Sequence, residues 1–385
     1  MLRELRRTIE EMPISQIREI ANDAIGLEDM IPLWFGEPDI ATPDFIYNTA
    51  IEAMKAGHTF YTPNRGIPEL RDAISSYTKQ LYNIPIDPDR VTVTASGMSG
   101  IMISNQLLVE PGTNVVCPVP LWPNIRGTID ILGGEFRAVP LRLINKSWEL
   151  DLDQLFQSVD QQTRAIFINS PNNPTGWIMS SDQQQALLKF CRDRGLWLIA
   201  DEVYARIVYG MRHAPSFLEH SDPEDRLIII NSFSKPWAMT GWRLGWLITP
   251  KRFGKTLEMM NEFNFAGAAT FTQMAGITAL RHGEAFLTDQ IKRYEDARDL
   301  VYERFSTHPK ITMGWPEGAF YAFFSVAGMT NGLAFCRKLV QEARVGLVPG
   351  TTFAAPEEGW LRLCFANSLE TLNTAIDRLE EHLDK

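Results

Sequence analysis

Short apolar runs that stop abruptly on polar or charged residues recur through the middle of the chain. Ala165–Asn169 runs into Ser170-Pro171-Asn172-Asn173-Pro174-Thr175-Gly176, Leu196–Ala200 into Asp201-Glu202-Val203-Tyr204, and Leu227–Ile230 into Asn231-Ser232-Phe233-Ser234-Lys235. Val91–Thr94 leads into Ala95-Ser96-Gly97-Met98, and Val115–Val119 into Pro120-Leu121-Trp122. From about Tyr47 to Gly283 such runs alternate with helical patterns, which predicts βαβ units and a mostly parallel sheet covered on both faces. Ligands of open α/β sheets sit beyond the carboxyl ends of the strands, so these tails are expected to converge on one pocket. They deliver an amide, a carboxylate, a phenol, hydroxyls and a lysine, a set suited to a phosphorylated, nitrogen-containing aromatic cofactor held covalently by an amine.

The pattern changes towards both ends. Residues up to about Ile46 read as a helix and an irregular arm ending in Trp34-Phe35-Gly36-Glu37-Pro38-Asp39. Glu284 to about Ser306 reads as one long helix leading to a second unit, with Gly318–Phe324 and Leu361–Phe365 as strands and Thr330–Ala343 and Leu369–Leu383 as helices. This α+β grammar divides the chain into an arm (1–46), a large α/β domain (47–283) and a small domain (284–385). At 385 residues the chain is long enough for two cores.

Charge narrows the partners. Lys and Arg total 37 against 47 for Asp and Glu, a formal charge of −10, so the mean field repels phosphodiesters and anionic lipid surfaces. Nucleic acid and membrane partners are not expected, although an anionic cofactor and substrate would need a locally basic pocket. Cys117, Cys191, Cys336 and Cys364 form no Cys-x-x-Cys pair, which argues for small buried residues in a reducing cytoplasm. The six histidines show no metal-ligand spacing, and no metal is expected. No apolar run approaches a bilayer-spanning length, and the basic start Met1–Arg7 is followed by Glu10 and Glu11, so it reads as a surface amphipathic helix and not a signal peptide.

In order, Asn173-Pro174-Thr175-Gly176, Asp201-Glu202-Val203-Tyr204, Ser232-Phe233-Ser234-Lys235 and Gly241-Trp242-Arg243-Leu244-Gly245 resemble the motifs of the fold-type-I, pyridoxal-5′-phosphate-dependent aminotransferases of class I/II. The resemblance runs from about Gly36 to Arg362. It implies a mostly parallel seven-stranded sheet sandwiched by helices in a large cofactor domain, a smaller α+β domain that includes the N-terminal arm, and a homodimer.

Residue by residue, the resemblance makes Lys235 the Schiff-base lysine and proton shuttle. A lysine normally titrates near 10.4, so that role requires burial or cationic neighbours to favour the neutral amine. Asp201 would hold the pyridine nitrogen in its protonated, electron-withdrawing form. Tyr204 and Asn173 would hydrogen-bond the ring oxygen, and Trp122 would stack on the ring face. Ser232, Ser234 and Arg243 would take the phosphate. They would be joined by Ser96, Gly97 and Met98 at a helix start expected near Ser99, where free N–H groups favour an anion. Tyr61 matches a tyrosine that reaches the phosphate in the neighbouring subunit. Arg362 alternates with apolar residues on an expected strand and has no acidic neighbour in sequence; the family pairs it with the substrate α-carboxylate, assisted by Gly36 and Asn173.

Substrate choice is less legible. Some aspartate-using relatives carry a lysine where this chain has Met98, and Asn124 and Ile125 replace a common second tyrosine after Trp122. A neutral or aromatic L-amino acid is therefore the expected donor to a 2-oxo acid, by a ping-pong mechanism. A Cβ–S lyase using the same cofactor is the alternative. Ser232-x-x-Lys235 also satisfies the nucleophile motif of penicillin-recognising acyl transferases, but the required Ser-Asp-Asn and Lys-Thr-Gly are missing. A non-catalytic regulator would need a DNA-binding domain for which there is no room before Gly36.

Overall fold

In a computed structural model, residues 4–355 and 357–384 are described. The expected alternation builds a seven-stranded sheet from β1 (Val91–Thr94), β2 (Asn114–Val119), β3 (Glu135–Pro140), β4 (Thr163–Asn169), β5 (Trp197–Asp201), β6 (Leu227–Ser232) and β7 (Gly245–Ile248). Their order is β1-β7-β6-β5-β4-β2-β3. Only β7 runs against the others, pairing antiparallel with both β1 and β6.

Period-2 alternation sends neighbouring side chains to opposite faces, and both faces are covered. Phe167, Ile199, Ile228 and Ile230 pack on one side with Ile101, Ile125 and Ile129. Ile166, Ile168, Leu198 and Ile229 pack on the other with Leu187, Phe233 and Trp246. Each fully buried side chain of this kind contributes roughly 1.5–3 kcal/mol. This rigid base lets the strand ends carry polar residues that would cost stability on a softer support.

A four-stranded antiparallel sheet joins Ile311–Met313, Tyr321–Val326, Trp360–Cys364 and Val348–Pro349 in that order. The helix Glu284–Thr307 precedes it, and Leu369–Leu383 ends the fold. The N-terminal segment returns to this second sheet. Ile31–Pro32 pairs in parallel with Val345–Gly346, and Cys364 N–H donates to the Leu33 carbonyl at 3.0 Å. All four cysteines are buried and free.

Several boundaries differ from the sequence expectations. The start of the chain holds two short helices, Arg7–Glu10 and Gln16–Asp23, where one amphipathic helix was expected; Met1–Arg3 lie outside the described residues. The expected strand Gly318–Phe324 begins later, at Tyr321, because Val208 bridges Gly318 and Ala319 takes a left-handed φ of 56°. The expected helix Thr330–Ala343 starts at Gly332, capped by Asn331, and loosens into a wider π turn over Leu339–Ala343.

Candidate active site

The carboxyl ends of β4, β5 and β6 open onto a cavity of about 430 Å³, closed by residues of the N-terminal segment and of the second sheet. Lys235 follows β6. Its Nζ donates to the Gly36 carbonyl at 2.5 Å and lies 5.8 Å from the ring centroids of both Tyr204 and Phe320. Burial pushes this amine down to about 8; Arg362 and Arg243 add to the shift, and Cys364 and Glu37 oppose it. The shift enlarges the neutral, nucleophilic fraction over that of an ordinary lysine, although the amine is still mostly protonated at pH 7.

Asp201 ends β5 and is buried. Its Oδ1 accepts from Val203 N–H at 3.2 Å. Burial raises its carboxyl to about 7, against the lowering effects of the Val203 bond and of Lys235. A carboxylate so placed favours a cationic partner inside the cavity. The Tyr204 hydroxyl shares a 2.7 Å hydrogen bond with that of Tyr321, and burial holds both phenols in their neutral form. The side chain of Asn169, at the end of β4, accepts from Asn173 N–H at 2.8 Å and fixes the turn that carries Asn173 into the cavity.

The helix Gly97–Leu108 starts beside the end of β6. A Cβ added at Gly97 would stand 3.3 Å from that of Ser232, so glycine permits the close approach. Ser232 Oγ donates to Ser234 Oγ at 2.9 Å, and Ser234 N–H donates back to Ser232 Oγ at 3.1 Å. Arg243 takes a left-handed backbone, φ 55°, a conformation costing roughly 1–2 kcal/mol, and its Nη1 donates to the Thr240 carbonyl at 2.5 Å. Two hydroxyls, a helix N-terminus and a guanidinium thus line one end of the cavity.

Arg362 lines another part of the wall and is only 2% exposed. Nη1 donates to Asn173 Oδ1 at 2.9 Å, and Nη2 donates to the Trp34 carbonyl. The guanidinium lies over the rings of Tyr321 and Phe353, at 4.6 and 4.7 Å. No carboxylate pairs with it among the described residues, and its buried Nε has no hydrogen-bond partner. Nearby Gly36 has no room for a side chain, because a Cβ there would stand 1.8 Å from the Tyr321 hydroxyl oxygen.

Of the residues singled out in the sequence, Gly36, Gly97, Met98, Trp122, Asn173, Asp201, Tyr204, Ser232, Ser234, Lys235, Arg243 and Arg362 all line this cavity. Ser96 does not. Its hydroxyl accepts from Ser99 N–H at 2.9 Å and caps the helix start beside the cavity. Tyr61 is also outside, 94% exposed. Tyr321, Trp34, Thr240 and Arg18 line the cavity but were missed in the sequence. Tyr321 sits inside an apolar strand with no polar tail to mark it; Asn169, in contrast, was visible as the last residue of its run.

The donor set fits a phosphorylated pyridine aldehyde: an amine of lowered basicity, a buried carboxylate needing a cation, an anion cradle, and a separate guanidinium with an unused N–H. A rigid α/β sheet with these groups at its carboxyl edge defines a pyridoxal-phosphate enzyme. Residues 28–379 match the family described as aminotransferase class I and II, and the chain belongs to that family. It is a transaminase dependent on pyridoxal 5′-phosphate.

Among its relatives, an aspartate aminotransferase of Pyrococcus horikoshii is 35% identical over 96% of this chain and 95% of the relative. An aromatic-amino-acid aminotransferase of Thermococcus litoralis is 33% identical, over 96% and 95%. The crystal structure of aspartate aminotransferase from Thermotoga maritima superposes with a TM-score of 0.92 at 34% identity, covering 99% of this chain and 100% of that one.

Proposed function

We propose that the enzyme transfers the amino group of a neutral or aromatic L-amino acid to a 2-oxo acid by a ping-pong mechanism, acting in the cytoplasm as a homodimer with one arm (1–46), one large (47–283) and one small (284–385) domain. The observation that carries the reading is Arg362, a buried guanidinium that has no carboxylate partner among the described residues and shares a cavity with Lys235. Trp34, Phe35, Ile17, Met98, Ile101 and Trp122 give the cavity an apolar wall, which favours an uncharged donor side chain. The exposed pair Phe60 and Tyr61 supports a partner subunit.

When bound, pyridoxal phosphate supplies an electron sink for the charge left at the substrate Cα. In this proposal Ser232, Ser234, Arg243 and the N–H groups of Gly97 and Met98 hold the phosphate, with Tyr61 of the other subunit. Asp201 stabilises positive charge at the ring nitrogen. Asn173 and Tyr204 would bond the ring oxygen, and Trp122 would pack against the ring. Arg362 and Asn173, with Gly36 leaving space, orient the substrate carboxylate. Lys235 anchors the cofactor and, through an Nζ whose basicity burial lowers, carries the proton at the substrate Cα.

Twenty amino donors assayed against 2-oxoglutarate, pyruvate and oxaloacetate test this. Keto-acid formation that requires the second keto acid, with parallel double-reciprocal lines, is expected. Ammonia and pyruvate released from cystathionine without an acceptor would establish the lyase alternative, which has no support among the relatives named above.

A further inference from the structure

Four cations line the cavity, Arg18, Lys235, Arg243 and Arg362, against one acid, Asp201. Under the transaminase mechanism proposed above, three of them are committed: Lys235 to the cofactor, Arg243 to its phosphate and Arg362 to the α-carboxylate. Arg18 is left over. It projects from the helix Gln16–Asp23, is exposed, and makes neither a hydrogen bond nor an ion pair among the described residues. Its guanidinium carbon lies over the ring of Phe35, 4.8 Å from the centroid.

The acids that could neutralise Arg18 from its own helix are already engaged. Glu19 and Asp23 both bind Arg337, Asp23 at 2.9 Å. With no hydrogen bond or ion pair among the described residues, the guanidinium beside the Phe35 ring keeps its N–H donors available for a carboxylate. Phe35 itself stands between two anchors of the catalytic apparatus, because the Trp34 carbonyl accepts from Arg362 and the Gly36 carbonyl from Lys235. Arg18 therefore borders the same three-residue segment that positions the amino-acid end of a substrate.

We propose that Arg18 binds the distal carboxylate of a dicarboxylic substrate, so that the cavity takes a dicarboxylic 2-oxo acid as acceptor in one half-reaction and an apolar donor against Phe35 and Trp34 in the other. The inference rests on the transaminase reading and adds a specificity-determining residue to it. It also supplies the positive charge that Met98 does not.

The test compares wild-type holoenzyme with Arg18→Gln and Arg18→Lys. Two readouts are needed: the dissociation constants of maleate and of butyrate, unreactive acids with and without a second carboxylate, and kcat/KM for 2-oxoglutarate and 2-oxobutyrate. For Arg18→Gln, maleate binding and kcat/KM for 2-oxoglutarate are expected to fall roughly tenfold or more, as for loss of a charged hydrogen bond, while butyrate and 2-oxobutyrate change less than twofold. Arg18→Lys should fall between, and the wild-type preference for maleate should shrink as salt rises. Equal losses for both acids, or no loss for either, overturn the inference while leaving the transaminase reading intact. A wild-type enzyme that aminates no 2-oxo acid from any donor overturns both.

Discussion

Replacing Arg362 by leucine separates a substrate anchor from a structural ion pair. Leucine keeps an apolar stem between Tyr321 and Phe353 and removes the buried guanidinium that donates to Asn173. If the guanidinium meets a carboxylate in the bound complex, each charged hydrogen bond is worth about 1.5–3 kcal/mol, and losing one partner of a buried pair costs about 2–5 kcal/mol. At 1.4 kcal/mol per decade, kcat/KM for the amino donor falls by about 30- to 4,000-fold. The free enzyme behaves differently. Because no carboxylate among the described residues pairs with Arg362, its removal strands no buried anion there, and the lost bonds to Asn173 and Trp34 are offset by relief of a desolvated charge. Steady-state kinetics, cofactor absorbance and thermal melting of the same preparations give the three readouts. Arg362→Lys, which keeps the charge but not the fork, should lose less. A leucine variant that retains its cofactor and turns over within threefold of wild type would refute the assignment; so would one whose only defect is a lowered melting temperature.

Borohydride reduction of the holoenzyme should place the cofactor on the peptide containing Lys235, and Lys235→Ala should lower kcat by at least about 10²–10⁴-fold, the usual share of a positioned proton carrier; a label on another lysine refutes this. With the amine held to about 8, cofactor capture by the cofactor-free protein should speed up through pH 8 and then level off, and a rate flat from pH 6 to 9 counts against a buried Lys235. Asp201 and Glu202 are raised by burial to about 7 and about 8, so between pH 5 and 7 the native state binds more protons than the unfolded chain, and stability of the cofactor-free protein falls as pH rises. The depressed Lys235 acts in the other direction only above about pH 8. Chemical denaturation at pH 5 and 7 checks the slope, which Asp201→Asn should flatten; a cofactor-free protein that is more stable at pH 7 refutes the burial argument.

How far the sequence reaches depends on whether a residue acts through its own side chain at a strand end. The polar tails after β4, β5 and β6 were readable because each interrupts an apolar run, and Arg362 because it interrupts an alternating strand. β3 was not readable: as an edge strand its residues Glu135, Phe136 and Arg137 are exposed or half-buried, so it lacks the continuous apolar run of its neighbours. β7 follows directly on the Gly241–Gly245 motif, and nothing in its four apolar residues reveals that it runs antiparallel. The catalytic surroundings were less legible still. Tyr321 and Trp34 reach the cavity through tertiary packing, one on a strand of the second sheet and the other on an irregular segment. Ser96 has the residue type of a phosphate ligand, and its hydroxyl oxygen also accepts from Ser99 N–H as the helix cap, a second role that residue type alone does not reveal.

The irregular segment Trp34–Gly36 explains why so small a set of groups acts as a unit. It is fixed at one end by the pairing of Ile31–Pro32 with Val345–Gly346 and by the bond from Cys364 N–H to Leu33. Arg362 lies on the same strand as Cys364, two residues away. The backbone that receives Arg362 at Trp34 therefore also receives Lys235 at Gly36, and Tyr321, which closes over Gly36, is the hydrogen-bond partner of Tyr204. A shift of this segment would alter the anchor of the substrate carboxylate, the position of the reactive amine and the phenol pair together. Placing these contacts on main-chain carbonyls ties them to the fold itself, since only the second sheet and the arm in register bring the two carbonyls to the carboxyl edge of the large sheet.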